Sequence, residues 1–216
     1  MADRRPRKSF EERRGERAAI DDPAAILEAA ARFLEARSRS VAEVRRRLGR
    51  AGYRTDLVEG AIARLGELGM LDDAAFGRAW VESRDRARPR GEIALRRELA
   101  LKGVDRAVVD ELLEERRASG GARAAGGARA AGGPGDDGGR VVDVDLEAAR
   151  RLLARNERAL ARVADPRQRR QRAYALLARN GFDPETCREA SASVATAGQP
   201  DAAGPNAVEP DEDGGP

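Results

Sequence analysis

Apolar side chains return along this chain at helical spacing, and capping residues mark where each run begins and ends. Asp22-Pro23 is a cap followed by proline at the first helical position, and Ile26, Ala30, Phe33 and Leu34 then share one face. Ser40-Val41-Ala42-Glu43 is a capping box, Val41, Val44 and Leu48 form the stripe behind it, and Gly52 stops that helix. Thr55 is the expected cap of a third helix carrying Leu57, Val58, Ala61, Ile62, Leu65 and Leu68, which Gly69 ends.

The same grammar recurs twice. Asp72 or Asp73 caps a helix with Phe76, Ala79, Trp80 and Val81; Ile93, Leu95 and Leu99 follow a break at Pro89–Gly91; and Val108, Val109, Leu112 and Leu113 complete the set. A third copy opens at Asp145 with Ala149, Leu152 and Leu153, and Asp165-Pro166 then starts a helix with Ala173, Tyr174 and Leu177. The copies register residue by residue. Leu48-x-x-x-Gly52-Tyr53 falls on Leu99-x-x-x-Gly103-Val104 and on Leu177-x-x-x-Gly181-Phe182. Leu57, Val58, Ala61 and Ile62 fall on Val108, Val109, Leu112 and Leu113, and Cys187 matches Val58 and Val109. The pattern predicts an all-α protein of three tandem three-helix units in an extended arrangement. The expected boundaries are a mobile arm over 1–22, units over 23–71, 72–117 and 144–192, a flexible Gly/Ala/Arg linker over 118–143, and a disordered acidic tail over 193–216. The linker assignment rests on composition: Ala118–Arg140 holds 9 of the chain's 23 glycines and repeats Gly-Gly-Ala-Arg-Ala-Ala twice. The third unit is therefore expected to be joined flexibly.

Composition narrows the chemistry. Aromatic residues make up only 3% of the 216, so the cores rest on Leu, Val, Ile and Ala. The chain has no histidine and a single cysteine. Catalytic triads, Cys-His pairs, the usual zinc sites and an internal disulfide are thereby excluded. No apolar run is long enough to span a membrane and none follows Arg4, Arg5, Arg7 and Lys8, so neither a membrane anchor nor a secretory signal is expected. A reducing, cytoplasmic location is the expectation. The net charge of +3 is uneven. Thr196–Pro216 carries five acids and no base, while the first and third units are net positive and the second is neutral. A basic body suits a polyanion or an acidic protein face.

The leading sequence over Phe33–Tyr53, FLEARSRSVAEVRRRLGRAGY, resembles the regulatory protein RecX family. So do LDDAAFGRAWVESR over Leu71–Arg84 and GEIALRRELALKGV over Gly91–Val104. The resemblance covers residues 24–117 strongly and 146–190 weakly; the glycine linker and acidic tail are additions to the family pattern. It implies a non-enzymatic regulator, without cofactor or metal, that binds the RecA recombinase and its filament on single-stranded DNA. Strand exchange, ATP hydrolysis and coprotease action would be curbed. A monomer is expected, with direct DNA contact open. The alternative is a repressor-like helical protein acting on DNA alone.

Several residues have a plain and a functional reading. Asp72 and Asp73 are a capping pair or metal ligands, Trp80 is core or a stacking platform, and Cys187 is a buried apolar residue or a reactive thiol. The partner-binding candidates are arginines on the middle helix of each unit: Arg45 and Arg46, Arg96 and Arg97, and Arg167, Arg169 and Arg170. They form a basic ridge suited to carboxylate or phosphate, or else a solvated face.

Overall fold

The computed structural model describes residues 9–127 and 143–196, and the regular structure among them is entirely helical. Helix α1 (Phe10–Ala18) precedes unit 1, which is α2 (Pro23–Glu35), α3 (Val41–Ala51) and α4 (Thr55–Glu67). Unit 2 is α5 (Asp73–Ala87), α6 (Glu92–Lys102) and α7 (Arg106–Gly127). Unit 3 is α8 (Val144–Arg155), the short α9 (Glu157–Ala161), α10 (Pro166–Arg179) and α11 (Pro184–Thr196). The all-α, tandem three-helix architecture read from the sequence is the architecture observed.

Each unit closes over its own core, and the repeat register is a register of buried positions. Val44, Leu95 and Ala173 are fully buried at one level, and Leu48, Leu99 and Leu177 at the next. Val58, Val109 and Cys187 follow, so the lone cysteine packs as a small apolar residue and burial raises its thiol pKa. Gly52, Gly103 and Gly181 all have positive φ, at 102°, 81° and 79°, where the chain leaves the middle helix of each unit. The caps at Asp22, Ser40, Asp72 and Asp165 form as the sequence predicts.

The structure differs from five expectations. Arg54, not Thr55, occupies the cap position of α4, where its side chain bonds Asp56 instead of the helix backbone. Residues 10–18 of the expected mobile arm form α1, begun by a capping box between Ser9 and Glu12. Helix α7 runs on to Gly127, so the break after 117 is not observed; the rest of the linker, 128–142, and the tail 197–216 lie outside the described residues. The third copy begins with Asp143 as cap of α8, and Asp145 is a buried residue instead. Unit 3 is also docked on unit 2 and does not merely follow a flexible tether.

The docking has a repeating form: the first turn of one middle helix meets the end of the next. At the first joint, Ser40 Oγ donates to the Lys102 carbonyl at the end of α6 (2.7 Å), and Lys102 Nζ reaches Glu43 (3.0 Å). Asp73 Oδ1 accepts from the Val41 amide at 2.9 Å, which closes the start of α3 from the second unit. At the second joint the Gly91 amide donates to the Asn180 carbonyl (3.1 Å) and the Ile93 amide to the Gly181 carbonyl (3.2 Å). In both places a helix N-terminus faces a helix C-terminus, so the partial charges of the two macrodipoles attract. Glycine is required by contact: a Cβ on Gly103 would overlap that of Ala42, and one on Gly181 would overlap Ala94. Helices α3, α6 and α10 thus succeed one another in a row, each carrying one group of candidate arginines.

Candidate partner-binding surface

The candidate arginines divide by what their own chain does with them. Arg45 makes a two-point bond to Glu59, at 2.5 and 2.6 Å. Arg96 pairs with Asp110 and with Glu92. Arg45 and Arg96 are equivalent in the repeat, and so are Glu59 and Asp110, fourteen residues further on in each unit. This is a repeated tie between middle and last helix: Arg45 and Arg96 are held above the ordinary arginine pKa, each chiefly by its carboxylate hydrogen bond. Solvent screens such exposed pairs, so they add little to stability. Arg46 reaches across the first joint to the Lys102 carbonyl at 3.5 Å. Arg169 turns back on the Val163 carbonyl at 3.0 Å.

Arg97, Arg167 and Arg170 are exposed and make no ion pair among the described residues. Arg97 stands two residues from both Leu95 and Leu99, on the side of α6 away from the core. Arg167 and Arg170 lie on the first turns of α10. The row therefore offers uncompensated guanidinium groups on α6 and α10, and internally bonded ones on α3.

The other singled-out residues are structural. Asp72 accepts from the amides of Ala74 (2.8 Å) and Ala75 (3.0 Å), capping α5, while Asp73 is committed to the first joint. Burial raises the Asp73 pKa against the opposing hydrogen bond from Val41. Trp80 is half-buried: Nε1 donates to Glu98 at 2.8 Å, and Arg84 and Lys102 lie 4.4 and 4.8 Å from the ring centre. Its faces are already taken by these cations and by Phe76, 5.9 Å between ring centres.

The most deeply buried charges escaped sequence reasoning. Arg116, with 7% of its side chain exposed, bonds Asp85 at 2.9 Å and Asp145 at 2.5 Å, tying α5, α7 and α8 together. Asp145 Oδ2 also accepts from the Glu92 amide at 2.8 Å. Burial works against the Arg116 charge, but its two carboxylate bonds outweigh that and hold its pKa well above the ordinary value. For Asp145, burial wins over the pull of Arg116, and its pKa is raised. Arg155 adds bonds to the Ala87 and Arg86 carbonyls at 2.5 and 2.8 Å.

Both joints carry acid-sensitive carboxylates. Burial alone would raise Glu43 and Glu92, but Lys102 and Arg37 at the first, and Arg117 and Arg96 at the second, bring both below the ordinary glutamate range. A depressed carboxylate lends stability above its unfolded pKa and loses it as pH falls through the folded one. Asp145 acts oppositely, since acid relieves the cost of its buried charge. Thermal unfolding followed downward from about pH 5 should show a falling melting temperature. Glu43→Gln should flatten that fall, and an unchanged pH profile would contradict the assignment.

Comparison with known proteins places these features in a family. Profiles of the first, second and third three-helix domains of RecX match residues 27–65, 72–113 and 143–190. The regulatory protein RecX of Pelodictyon phaeoclathratiforme is 40% identical over 86 residues, a match that covers 40% of this chain and 54% of that protein. That of Chlorobium phaeobacteroides is 28% identical over 78% of this chain and 92% of its own length. The crystal structure of RecX from Lactobacillus salivarius superposes with a TM-score of 0.62 at 16% identity, covering 81% of this chain and 97% of that one, a likeness of fold. No helix among the described residues is long and apolar enough to cross a membrane. With all three domain profiles matching in order on the three observed units, the chain belongs to the RecX family of regulatory proteins.

Proposed function

We propose that this chain acts without catalysis by binding the RecA recombinase and its filament on single-stranded DNA, and that it curbs strand exchange, ATP hydrolysis and coprotease action. The observation that carries the reading is the row of middle helices α3, α6 and α10, which meet end to end and present exposed arginines at successive stations. A row of small units is a shape for lying along a filament and touching more than one protomer, and several weak contacts on one chain multiply in effect. The ridge includes Arg45, Arg46, Arg96, Arg97, Arg167, Arg169 and Arg170, with Arg97, Arg167 and Arg170 as the members open to a carboxylate or phosphate of the partner. A guanidinium fork suits both groups.

Pull-down of RecA, compared with binding to DNA alone at matched salt, tests this reading. Capture of RecA without DNA, and stronger capture of the filament, is the expected result. Binding to DNA alone, indifferent to RecA, would instead support a helical DNA-binding protein.

A further inference from the structure

A second basic surface lies off the ridge, where α1 crosses α3. Phe10, Arg14 and Arg17 occur at spacings of four and three, one face of α1, and that face looks onto Arg47 and Arg50 near the end of α3. Between them is an open cleft of about 570 Å³, whose lining includes four arginines and no carboxylate. Arg14, Arg47 and Arg50 form no ion pair among the described residues. Arg17 donates to the Ala51 carbonyl at 3.4 Å and lies 5.9 Å from the Tyr53 ring centre; Arg47 lies 5.6 Å from that of Phe33. The end of α3 supplies roughly half a negative charge through its dipole, far less than four guanidinium groups require. The cleft therefore presents a concentration of positive charge that its own lining does not neutralise.

We infer that this cleft binds single-stranded nucleic acid, with the arginines on backbone phosphates and Phe10 beneath a base. Phe10 selects this occupant. Its side chain stands at the rim, 60% exposed, within the same lining as the arginines. An aromatic face next to cations along a backbone track is the arrangement that holds unpaired bases. A duplex keeps its bases stacked on one another, and an acidic peptide has no base to lay on the ring. The cleft is also at the far end of α3 from its joint with α6, so a strand held there leaves that joint accessible.

The test uses the full chain and a fluorescein-labelled twenty-residue oligothymidylate, with no recombinase present, so its outcome is separate from that of the filament reading. Phe10→Leu keeps an apolar contact for α1 but removes the stacking face, and should weaken binding about fivefold or more. Arg14→Ala with Arg50→Ala should weaken binding and flatten its salt dependence by about 0.7 of a slope unit per lost phosphate contact. Arg32→Ala, at an exposed position of α2 paired with Glu28, is the control and should change neither. Ultraviolet cross-linking should attach the oligonucleotide to the peptide containing Phe10. Folded variants by circular dichroism with unchanged affinity and salt slope would overturn the inference. So would a loss confined to the arginine variant and reproduced with an oligoaspartate probe, since the cleft would then be taking an acidic protein segment.

Discussion

Replacing Arg116 with Ala should loosen unit 3 from unit 2 by about 3–5 kcal/mol, the cost of leaving buried carboxylates without their cation. Asp85 and Asp145 converge on this guanidinium from different helices, and Asp145 is itself 12% exposed in the side chain. Once Arg116 is gone, Asp145 retains the Glu92 amide but loses its counter-charge. The loss should be selective. Asp85 and Arg116 also join α5 to α7 inside unit 2, whereas unit 1 takes no part in the triad, so thermal unfolding should separate into an early transition that includes unit 3 and a later one for unit 1. Adding Asp145→Asn to Arg116→Ala should recover part of the loss, because the double variant buries one charge fewer. A single unshifted transition in Arg116→Ala, or a double variant less stable than the sum of the singles, would show that the triad does not hold the joint.

Gly181→Ala should open the same joint by a different route. The residue sits at φ 79°, and a Cβ there would come within 2.5 Å of the Ala94 backbone nitrogen and 2.8 Å of its α-carbon. A left-handed backbone alone costs an alanine about 1–2 kcal/mol. The steric term comes on top, because the obstructing atoms are helix backbone and cannot rotate aside. Gly69 supplies the comparison: its φ is 68°, yet a Cβ there meets nothing within 4 Å. Gly69→Ala should therefore lose only the backbone term, while Gly181→Ala should also expose the amides of Gly91 and Ile93 to hydrogen exchange. Equal losses in the two variants, with those amides still protected, would mean that close approach at Gly181 is not what seats the units.

The fold was legible because it repeats. One Leu-x-x-x-Gly step with its capping residues is ambiguous, but three in register fixed both the units and their buried positions, down to Cys187 beneath the same level as Val58 and Val109. Helix α1 carried a signal that its composition hid: Ser9-x-x-Glu12 is a capping box, set in a stretch too charged to suggest packing. The extension of α7 had no local signal, since each Gly in a helix interior costs about 1 kcal/mol. The surface was less legible than the core. Arginine side chains look alike in a sequence, and only geometry separates Arg45 and Arg96, bonded to Glu59 and Asp110, from the open Arg97, Arg167 and Arg170. The repeat register would have flagged that recurring pair, fourteen residues apart. Nothing comparable marks Arg116, whose partners lie 31 and 29 residues away on opposite sides of it, one of them beyond the glycine-rich segment.

We propose that the arginine-bearing row engages a RecA filament. The direct measurement is the single-stranded-DNA-dependent ATPase rate of RecA, titrated with this protein and with a variant carrying Ala at Arg97, Arg167 and Arg170. The parent protein should lower the rate. The variant, folded by circular dichroism because alanine is the better helix former, should need a concentration at least about tenfold higher. An ATPase rate untouched by the parent protein would contradict the proposed function, and equal inhibition by both would contradict the ridge.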